Sequence, residues 1–483
     1  MKRTIRSICF WSLIHVMCLG LVPSSAQEGA LRVSEPVDSV VADLESYIPG
    51  QMKEAGVPGL AIALIRNNRV VWTDGFGTTN RLTGAPVSSE TVFEAASISK
   101  VVTAYIALRL VEEDRLSLDR PVHTYLGEPW LPSSASADNI TLRHLLSHSS
   151  GLGDDIVFRN KRIAFEPGSG FLYSGLGFEY VQELIERVSD ETLEEAAREK
   201  AFDPLGMSGS SFVGEADVVS NMANGHMPYL LPSAILLLPF IGILAIVGVV
   251  ILVLHRLIKG AWRPACRFSA GVCAVAFFLA VLLLYIVIGK AFPNLIPIAI
   301  LCNVVLFALL FLSYRLIRYL ISRITLASQK AVLRRTILIL WMTISSVALL
   351  AVANSLTGPV PENSSSKASA VGSLRATAPD LGAFLIELAH PRHLSQQLAS
   401  QIDSAQVNIN QDFSWGLGVG IQHTTHGDAM WQNAITIAFR GIMVMYPQAG
   451  LGVVVLTNSE SGLPVAYDVA ERAVGGEAKW KYF

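Results

Sequence analysis

Alternating hydrophobic and polar positions occur near both ends of the chain. The segment "GLAIALIRNNRVVWTDGFG" (59–77) alternates on either side of Asn67-Asn68, which predicts a β-hairpin. Three later segments predict further strands: "FSWGLGVGIQ" (413–422), "FRGIMVMYP" (439–447) and "LGVVVLTNS" (451–459), the last two separated by a turn at Gln448-Ala449-Gly450. The middle, from about 97 to 230, is helical and rich in loops. We therefore expect an α+β fold, with an antiparallel sheet built from both termini, flanking helices and a helical subdomain.

A different pattern interrupts this domain between Asp217 and Glu362, where the chain has no acidic residue. The stretch contains four apolar runs, at about 233–254, 269–289, 293–313 and 336–354. Each run is close to the roughly 20 residues that cross a bilayer as a helix. The pattern predicts a four-helix transmembrane insertion over 231–356; buried core helices of a soluble protein are the alternative.

Loop charges give that insertion an orientation. Lys and Arg are concentrated between the first and second runs and between the third and fourth, which places those loops in the cytoplasm. Both ends of the insertion then emerge outside, so residues 27–230 and 357–483 can fold together as one domain. We expect this domain on the periplasmic or extracellular side of the inner (cytoplasmic) membrane, with the lipid bilayer as a partner and the four spans serving mainly as an anchor.

The N-terminus agrees with this orientation. Residues 1–26 combine a basic start (Lys2, Arg3, Arg6), a short apolar core and a small-residue exit at Ser24-Ser25-Ala26, which predicts a secretory signal peptide cleaved after Ala26. The five cysteines all fall in the signal or the insertion, so the exported part is expected to have no disulfide. Of the 483 residues 51% are hydrophobic and only 16% are charged, and the net charge of −2 argues against a nucleic-acid partner.

Candidate chemistry lies in "FEAASISKVV" (93–102), where Ser97 stands three residues before Lys100 in an apolar run. Positions i and i+3 share one face of a helix, so the amine would lie beside the hydroxyl. A second pair at this spacing, Ser364 and Lys367, lies in a Pro/Ser-rich stretch typical of a solvated linker. Spacing alone leaves two interpretations of Ser97 and Lys100 open: a catalytic pair, or an accident of composition.

Five segments in order resemble the serine β-lactamases and penicillin-binding serine hydrolases, in particular the class C β-lactamase and DD-peptidase branch. They are "FEAASISK" (93–100), "ITLRHLLSHSSGL" (140–152), "PGSGFLYSGLGF" (167–178), "PLGMSGSSF" (204–212) and "GLGVVVLTNS" (450–459). The resemblance implies that Ser97 is the nucleophile, that Lys100 in its neutral form is the base, and that Tyr173 shares the proton relay. It also implies an oxyanion hole made of the backbone amides of Ser97 and Ile435, and a mechanism without a metal or other cofactor.

Two motifs depart from the family pattern. The usual Tyr-x-Asn reads Tyr173-Ser174-Gly175, and the usual Lys-Thr-Gly or His-x-Gly reads Gln432-Asn433-Ala434. A neutral amide thus replaces a cation whose charge-assisted hydrogen bond to a substrate carboxylate is worth about 1.5–3 kcal/mol. Gly175, Gln432, Asn433 and Ala434 are the candidate substrate-binding positions.

These substitutions set the functional expectation. We expect an acyl-serine hydrolase with weak or no β-lactamase activity that acts on small-molecule or peptide acyl substrates, preferably neutral esters or amides. Two alternatives remain: a catalytically impaired binding or sensor domain that reports through the membrane bundle, and a transporter, which would need polar residues within the spans.

Overall fold

The computed structural model describes residues 29–132, 134–153, 162–228, 357–359 and 367–483. The predicted signal peptide (1–26) and all four apolar runs (233–254, 269–289, 293–313 and 336–354) lie outside the described residues. Within the described ranges, no helix is both long enough and apolar enough to cross a membrane.

The strands come from both flanks of the predicted insertion. They are β1 (Gly59–Arg66), β2 (Arg69–Gly77), β3 (Phe93–Glu94), β4 (His226–Pro228), β5 (Thr357–Pro359), β6 (Arg375–Ala376), β7 (Val407–Asn408), β8 (Phe413–Trp415), β9 (Gly420–Gln422), β10 (Ala429–Ile435), β11 (Arg440–Tyr446) and β12 (Leu451–Thr457). One antiparallel sheet has the order β2-β1-β12-β11-β10-β9-β8-β7. The pairing of β1 with β12 joins the two flanks in this sheet, so the expected sheet built from both termini is present.

The helices lie on both faces of the sheet. They are α1 (Val37–Ala55), α2 (Ile98–Glu112), α3 (Ala135–Asp138), α4 (Leu142–Leu146), α5 (Gly175–Ser189), α6 (Leu193–Ala197), α7 (Asp203–Leu205), α8 (Ala216–Ser220), α9 (Ala378–Ala389), α10 (Gln396–Ala399) and α11 (Gly462–Val474). A π-helical turn, Arg198–Phe202, joins α6 to α7. Short 3-10 turns cover Arg32–Ser34, Val122–Tyr125, Pro447–Ala449 and Lys479–Tyr482.

Strand periodicity divides the interior into two cores. On β1, Leu60, Ile62 and Leu64 face a core shared with α1 and α11. The alternate residues Ala61 and Ala63 face the larger core, which contains α2, α5 and α9. Both faces of this strand are therefore buried, and the sheet is the middle layer of an α+β sandwich.

The predicted hairpin at 59–77 is confirmed. Asn67 and Asn68 both adopt left-handed backbone angles, with φ of +49° and +56°, as a two-residue type I′ turn requires.

The expectation of a single strand over 413–422 was wrong. Gly418 has a φ of +93°, and the amide of Gly416 donates to the carbonyl of Val419 at 2.9 Å, so the chain reverses between β8 and β9. The glycines that allow this turn break an otherwise continuous strand pattern.

The two ends of the predicted insertion leave the domain side by side. β4 pairs with β5 in an antiparallel ribbon in which Met227 lies opposite Gly358. The amide of His226 also donates to the carbonyl of Asn458 at the end of β12, at 2.9 Å, which fixes the ribbon to one end of the sheet.

Candidate active site

Ser97 lies where the chain enters helix α2. It occupies the N-cap position with φ −66° and ψ −9°, directly after Ala96, whose φ of +48° is unusual for a residue with a side chain. The first helical amides donate to carbonyls three residues earlier, and the amide of Ile98 is the first in this series, bonding to Ala95. The amide of Ser97 precedes these bonds at the positive end of the helix, where a developing negative charge is stabilised.

Lys100 lies one turn further along α2 and is only 3% exposed. Its Nζ is 3.1 Å from the Oγ of Ser97 and 2.7 Å from the carbonyl oxygen of Val371. The structure therefore brings the predicted nucleophile and base into direct contact, with the amine held by two neutral oxygens.

The segment that carries Val371 follows the predicted insertion and is fastened to α2. The amide of Leu374 donates to the Oγ of Ser99 at 2.9 Å, and its carbonyl accepts from Ala95 at 2.8 Å. Sequence reasoning missed Val371, because a carbonyl oxygen leaves no signal in the side-chain sequence.

Tyr173 stands across from the pair, two residues before helix α5. Its ring centroid is 5.2 Å from the Nζ of Lys100. Its hydroxyl oxygen accepts a long hydrogen bond, 3.4 Å, from the Nε2 of Gln432. Ser97, Lys100, Tyr173 and Gln432 are thus connected in one cluster.

His148 supports Tyr173 from behind. The centroids of the two rings lie 4.2 Å apart. The Nδ1 of His148 accepts a hydrogen bond from the backbone amide of Ser174 at 3.0 Å, and the backbone carbonyl of His148 accepts one from the amide of Leu172 at 2.8 Å. Burial is the main reason that the pKa of His148 lies well below its ordinary value. The imidazole is therefore neutral at pH 7, with its proton assigned to Nε2. The hydrogen bonds of His148 fix Leu172 and Ser174, the residues before and after Tyr173.

The third motif lies on β10, where alternation separates its side chains. Gln432 and Ala434 face the core that contains α2, whereas Asn433 lies on the opposite face, toward Tyr467 of α11. The side chain of Asn433 is therefore not part of the cluster around Ser97. Because side chains repeat on one face of a strand every two residues, neighbouring residues must face opposite ways.

Gln432 itself is only 3% exposed and incompletely satisfied. Its Nε2 donates to the carbonyl of Asn433 at 3.0 Å as well as to Tyr173, but its Oε1 has no hydrogen-bond partner among the described residues. The amide thus acts as a donor toward the tyrosine oxygen.

Ile435, the second predicted oxyanion-hole residue, ends β10. The amide of Thr436 donates to the carbonyl of Phe439 at 3.0 Å, and bonded and non-bonded pairs alternate along an antiparallel ladder. The neighbouring pair Ile435–Arg440 is therefore non-bonded, and the amide of Ile435 points away from β11. That direction leaves it available to a ligand beyond the end of the short strand β9.

Gly175 is the first residue of α5 and is buried. Ser174 caps this helix, its Oγ accepting from the amide of Gly177 at 2.8 Å. Gly175 has no side chain, so the amide group that asparagine supplies in the usual Tyr-x-Asn motif is absent next to Tyr173.

Part of the chain is similar in sequence to known proteins. Residues 44–237 match the family model described as Beta-lactamase. Esterase EstB of Burkholderia gladioli is 30% identical over 206 residues, which cover 36% of this chain and 52% of the esterase. Penicillin-binding protein 4 of Amycolatopsis lactamdurans is 28% identical over 196 residues, covering 36% of this chain and 50% of that protein. The chain thus spans about half the length of these curated relatives.

Solved structures extend the likeness in fold. A D-alanine carboxypeptidase AmpC from Burkholderia cenocepacia superimposes with a TM-score of 0.56 at 15% identity, covering 91% of this chain and 99% of that one. An octameric penicillin-binding protein homologue from Pyrococcus abyssi gives a TM-score of 0.56 at 19% identity, covering 91% and 79%. Residues 44–237 are therefore similar to the β-lactamase family, and the described chain shares the α+β fold of these two solved structures.

Proposed function

We propose that this protein is a serine hydrolase that forms an acyl intermediate on Ser97 and prefers neutral ester or amide substrates. The observation that carries the proposal is the 3.1 Å contact between the Nζ of Lys100 and the Oγ of Ser97 at the start of a buried helix. A serine hydroxyl is a weak nucleophile until a base within hydrogen-bond reach takes its proton.

In acylation, the neutral amine of Lys100 accepts the proton of Ser97 as Oγ attacks the substrate carbonyl carbon. The carbonyl oxygen becomes an oxyanion and is stabilised by the amides of Ser97 and Ile435. When the bond to the leaving group breaks, the alcohol or amine takes a proton from Lys100 through the hydroxyl of Tyr173. Lys100 returns to its neutral form, and the acyl group remains esterified to Ser97.

Deacylation repeats these steps with water as the nucleophile. The relay of Tyr173 and Lys100 takes a proton from water, the hydroxide attacks the acyl ester, and the Oγ of Ser97 recovers its proton as the carboxylic acid product leaves. Each cycle consumes one water and one substrate and restores the starting protonation state.

The substrate preference rests on Gln432 and Gly175. A neutral amide stands where the family has a cation, so a substrate carboxylate loses a charge-assisted bond of about 1.5–3 kcal/mol. Glycine removes the side-chain amide that would bind an acylamide group. Among the named relatives, this combination favours the chemistry of the esterase over that of the D-alanine carboxypeptidase.

For the whole chain we propose export by residues 1–26 and anchoring by four spans within 231–356, with the catalytic domain outside the cytoplasmic membrane. The side-by-side exit of β4 and β5 supports this arrangement, because an even number of spans returns the chain to its starting side. Retention of the full-length protein in membranes washed with alkaline carbonate is the expected result; release into the supernatant would contradict anchoring.

The catalytic proposal is tested by trapping the acyl enzyme. We expect a fluorophosphonate probe to label the full-length protein on Ser97, Lys100→Met to slow labelling at least a hundredfold, and Ser97→Ala to abolish it. The control Ser400→Ala, which changes an exposed serine of the same chain, should label normally. No adduct on the wild-type protein would favour a binding or sensor domain, and efficient nitrocefin turnover relative to p-nitrophenyl acetate would refute the substrate preference.

A further inference from the structure

Only a few residues of sequence separate the β4–β5 ribbon from the proposed membrane spans. Five residue steps separate Pro228 from the start of the first span at about 233, and three steps separate its end at about 354 from Thr357. A chain covers at most about 3.5 Å per residue, so these links reach no more than about 18 Å and about 11 Å. With the four runs spanning the membrane as proposed, the end of the sheet that holds this ribbon stays near the bilayer surface, whichever way the domain tilts.

Two loops flank the ribbon at that end of the sheet. One is 80–84: the amide of Arg81 donates to the Nε2 of His226 at 3.2 Å, and the Nδ2 of Asn80 donates to the Oδ1 of Asn224 at 2.9 Å. The other is the turn 436–439, where Gly225 packs so closely that an added Cβ would lie 2.6 Å from the Cβ of Ala438.

Both loops expose large apolar side chains. Leu82 is 74% exposed, Ile437 is 68% exposed and Ile435 is 49% exposed. Scattered exposed apolar residues need no explanation, but these three belong to the two flanking loops and to the end of β10 that leads into one of them. We call them the apolar rim.

One residue of the apolar rim, Ile435, also belongs to the proposed active site. Ile435 provides the proposed oxyanion amide, and it lies three residues, about 10 Å, from Gln432 along β10. At the base of the turn, Phe439 contacts Phe93, with ring centroids 6.3 Å apart, just upstream of Ser97. The proposed oxyanion-hole residue Ile435 and the β4–β5 ribbon therefore lie at one end of the sheet.

We propose that the apolar rim rests in the outer surface of the bilayer and that the site takes its substrate from the membrane, as the ester or amide of an amphiphile whose acyl chain lies in lipid. This inference rests on the proposed function and names its substrate class. A side chain such as Leu82 or Ile437 contributes affinity at this interface by burying apolar area among headgroups and acyl chains. The reaction is the hydrolysis described above, with water as the second reactant.

The placement is tested on the full-length chain in liposomes. The five native cysteines are replaced by serine, and single cysteines at Leu82 or Ile437 carry the fluorophore NBD. Val33 is the matched control because it is 46% exposed. Its carbonyl accepts a hydrogen bond from Arg66, which lies at the other end of β1, about 24 Å along the strand from the end near the ribbon. We expect lipids with a doxyl group near the headgroup to quench NBD at 82 and 437 at least threefold more than at 33. Equal quenching at all three positions would overturn the placement.

The substrate class is tested by the double variant Leu82→Asp/Ile437→Asp, which leaves the proposed catalytic residues unchanged. We expect hydrolysis of a fluorogenic long-chain ester embedded in liposomes to fall at least tenfold, while turnover of soluble p-nitrophenyl acetate and labelling of Ser97 stay within twofold. An unchanged rate on the embedded ester would overturn the inference. A wild-type protein that is never labelled at Ser97 would instead overturn the proposed function, and the quenching experiment would still report on the rim.

Discussion

Replacing Gln432 with lysine should restore recognition of carboxylate-bearing substrates. The Nε2 of Gln432 already lies 3.0 Å from the carbonyl of Asn433 and 3.4 Å from the hydroxyl of Tyr173, so an ammonium group in this region would keep two hydrogen-bond acceptors. The substitution also removes the buried Oε1 that has no partner among the described residues. A buried charge is destabilising when it is unpaired, and these acceptors reduce that penalty.

The magnitude follows from the bond that the new cation makes. A charge-assisted hydrogen bond to a substrate carboxylate is worth about 1.5–3 kcal/mol, and 1.4 kcal/mol corresponds to a factor of ten. We therefore expect kcat/KM for nitrocefin, divided by kcat/KM for p-nitrophenyl acetate, to rise between about tenfold and a hundredfold in Gln432→Lys.

The assay compares three full-length proteins: wild type, Gln432→Lys, and Gln432→Met, which has similar length but no charge. Thermal unfolding of each checks that the fold is retained. If Gln432→Met raises the ratio as much as Gln432→Lys, a change of shape rather than charge would be responsible, and the reasoning would be refuted. A correctly folded lysine variant with an unchanged ratio would refute it as well.

Three further predictions concern stability. Because the pKa of His148 is lowered in the folded protein, the stability gained from its neutral form is complete above about pH 6.5. As the pH falls below that value, the free energy of unfolding decreases by up to about 1.4 kcal/mol per pH unit. His148→Asn should therefore flatten the pH dependence of the melting temperature in that range, and an unchanged slope would contradict this. Tyr105→Phe removes a 2.9 Å hydrogen bond to the fully buried carboxylate of Glu387. Denaturant titrations should show a free energy of unfolding lower by about 1.5–3 kcal/mol, and a loss below about 0.5 kcal/mol would count against the bond. Gly418→Ala would place a Cβ 2.3 Å from a side chain of α2. Gly206 also has a positive φ but has open space around it, so Gly418→Ala should lower the free energy of unfolding by about 1–3 kcal/mol more than Gly206→Ala does. Equal losses in the two variants would mean that the clash is relieved without strain.

The sequence alone was sufficient for features that depend on local chemistry. The Asn67-Asn68 hairpin follows from residues that tolerate positive φ, and the strands β11 and β12 follow from their apolar patterns. The contact of Ser97 with Lys100 follows from i, i+3 spacing, because a helix places those side chains on one face.

Other features depended on contacts between distant parts of the chain. The carbonyl of Val371 reaches Lys100 across 271 positions, and such a contact depends on how the segment after the insertion packs against α2. Alternation along β10 requires Gln432 and Asn433 to face opposite ways, but only the packing of α2 and α11 on the two faces decided which of them points toward Tyr173. Local propensity sets how each segment folds, whereas the burial of one face against a particular neighbour requires the assembled core.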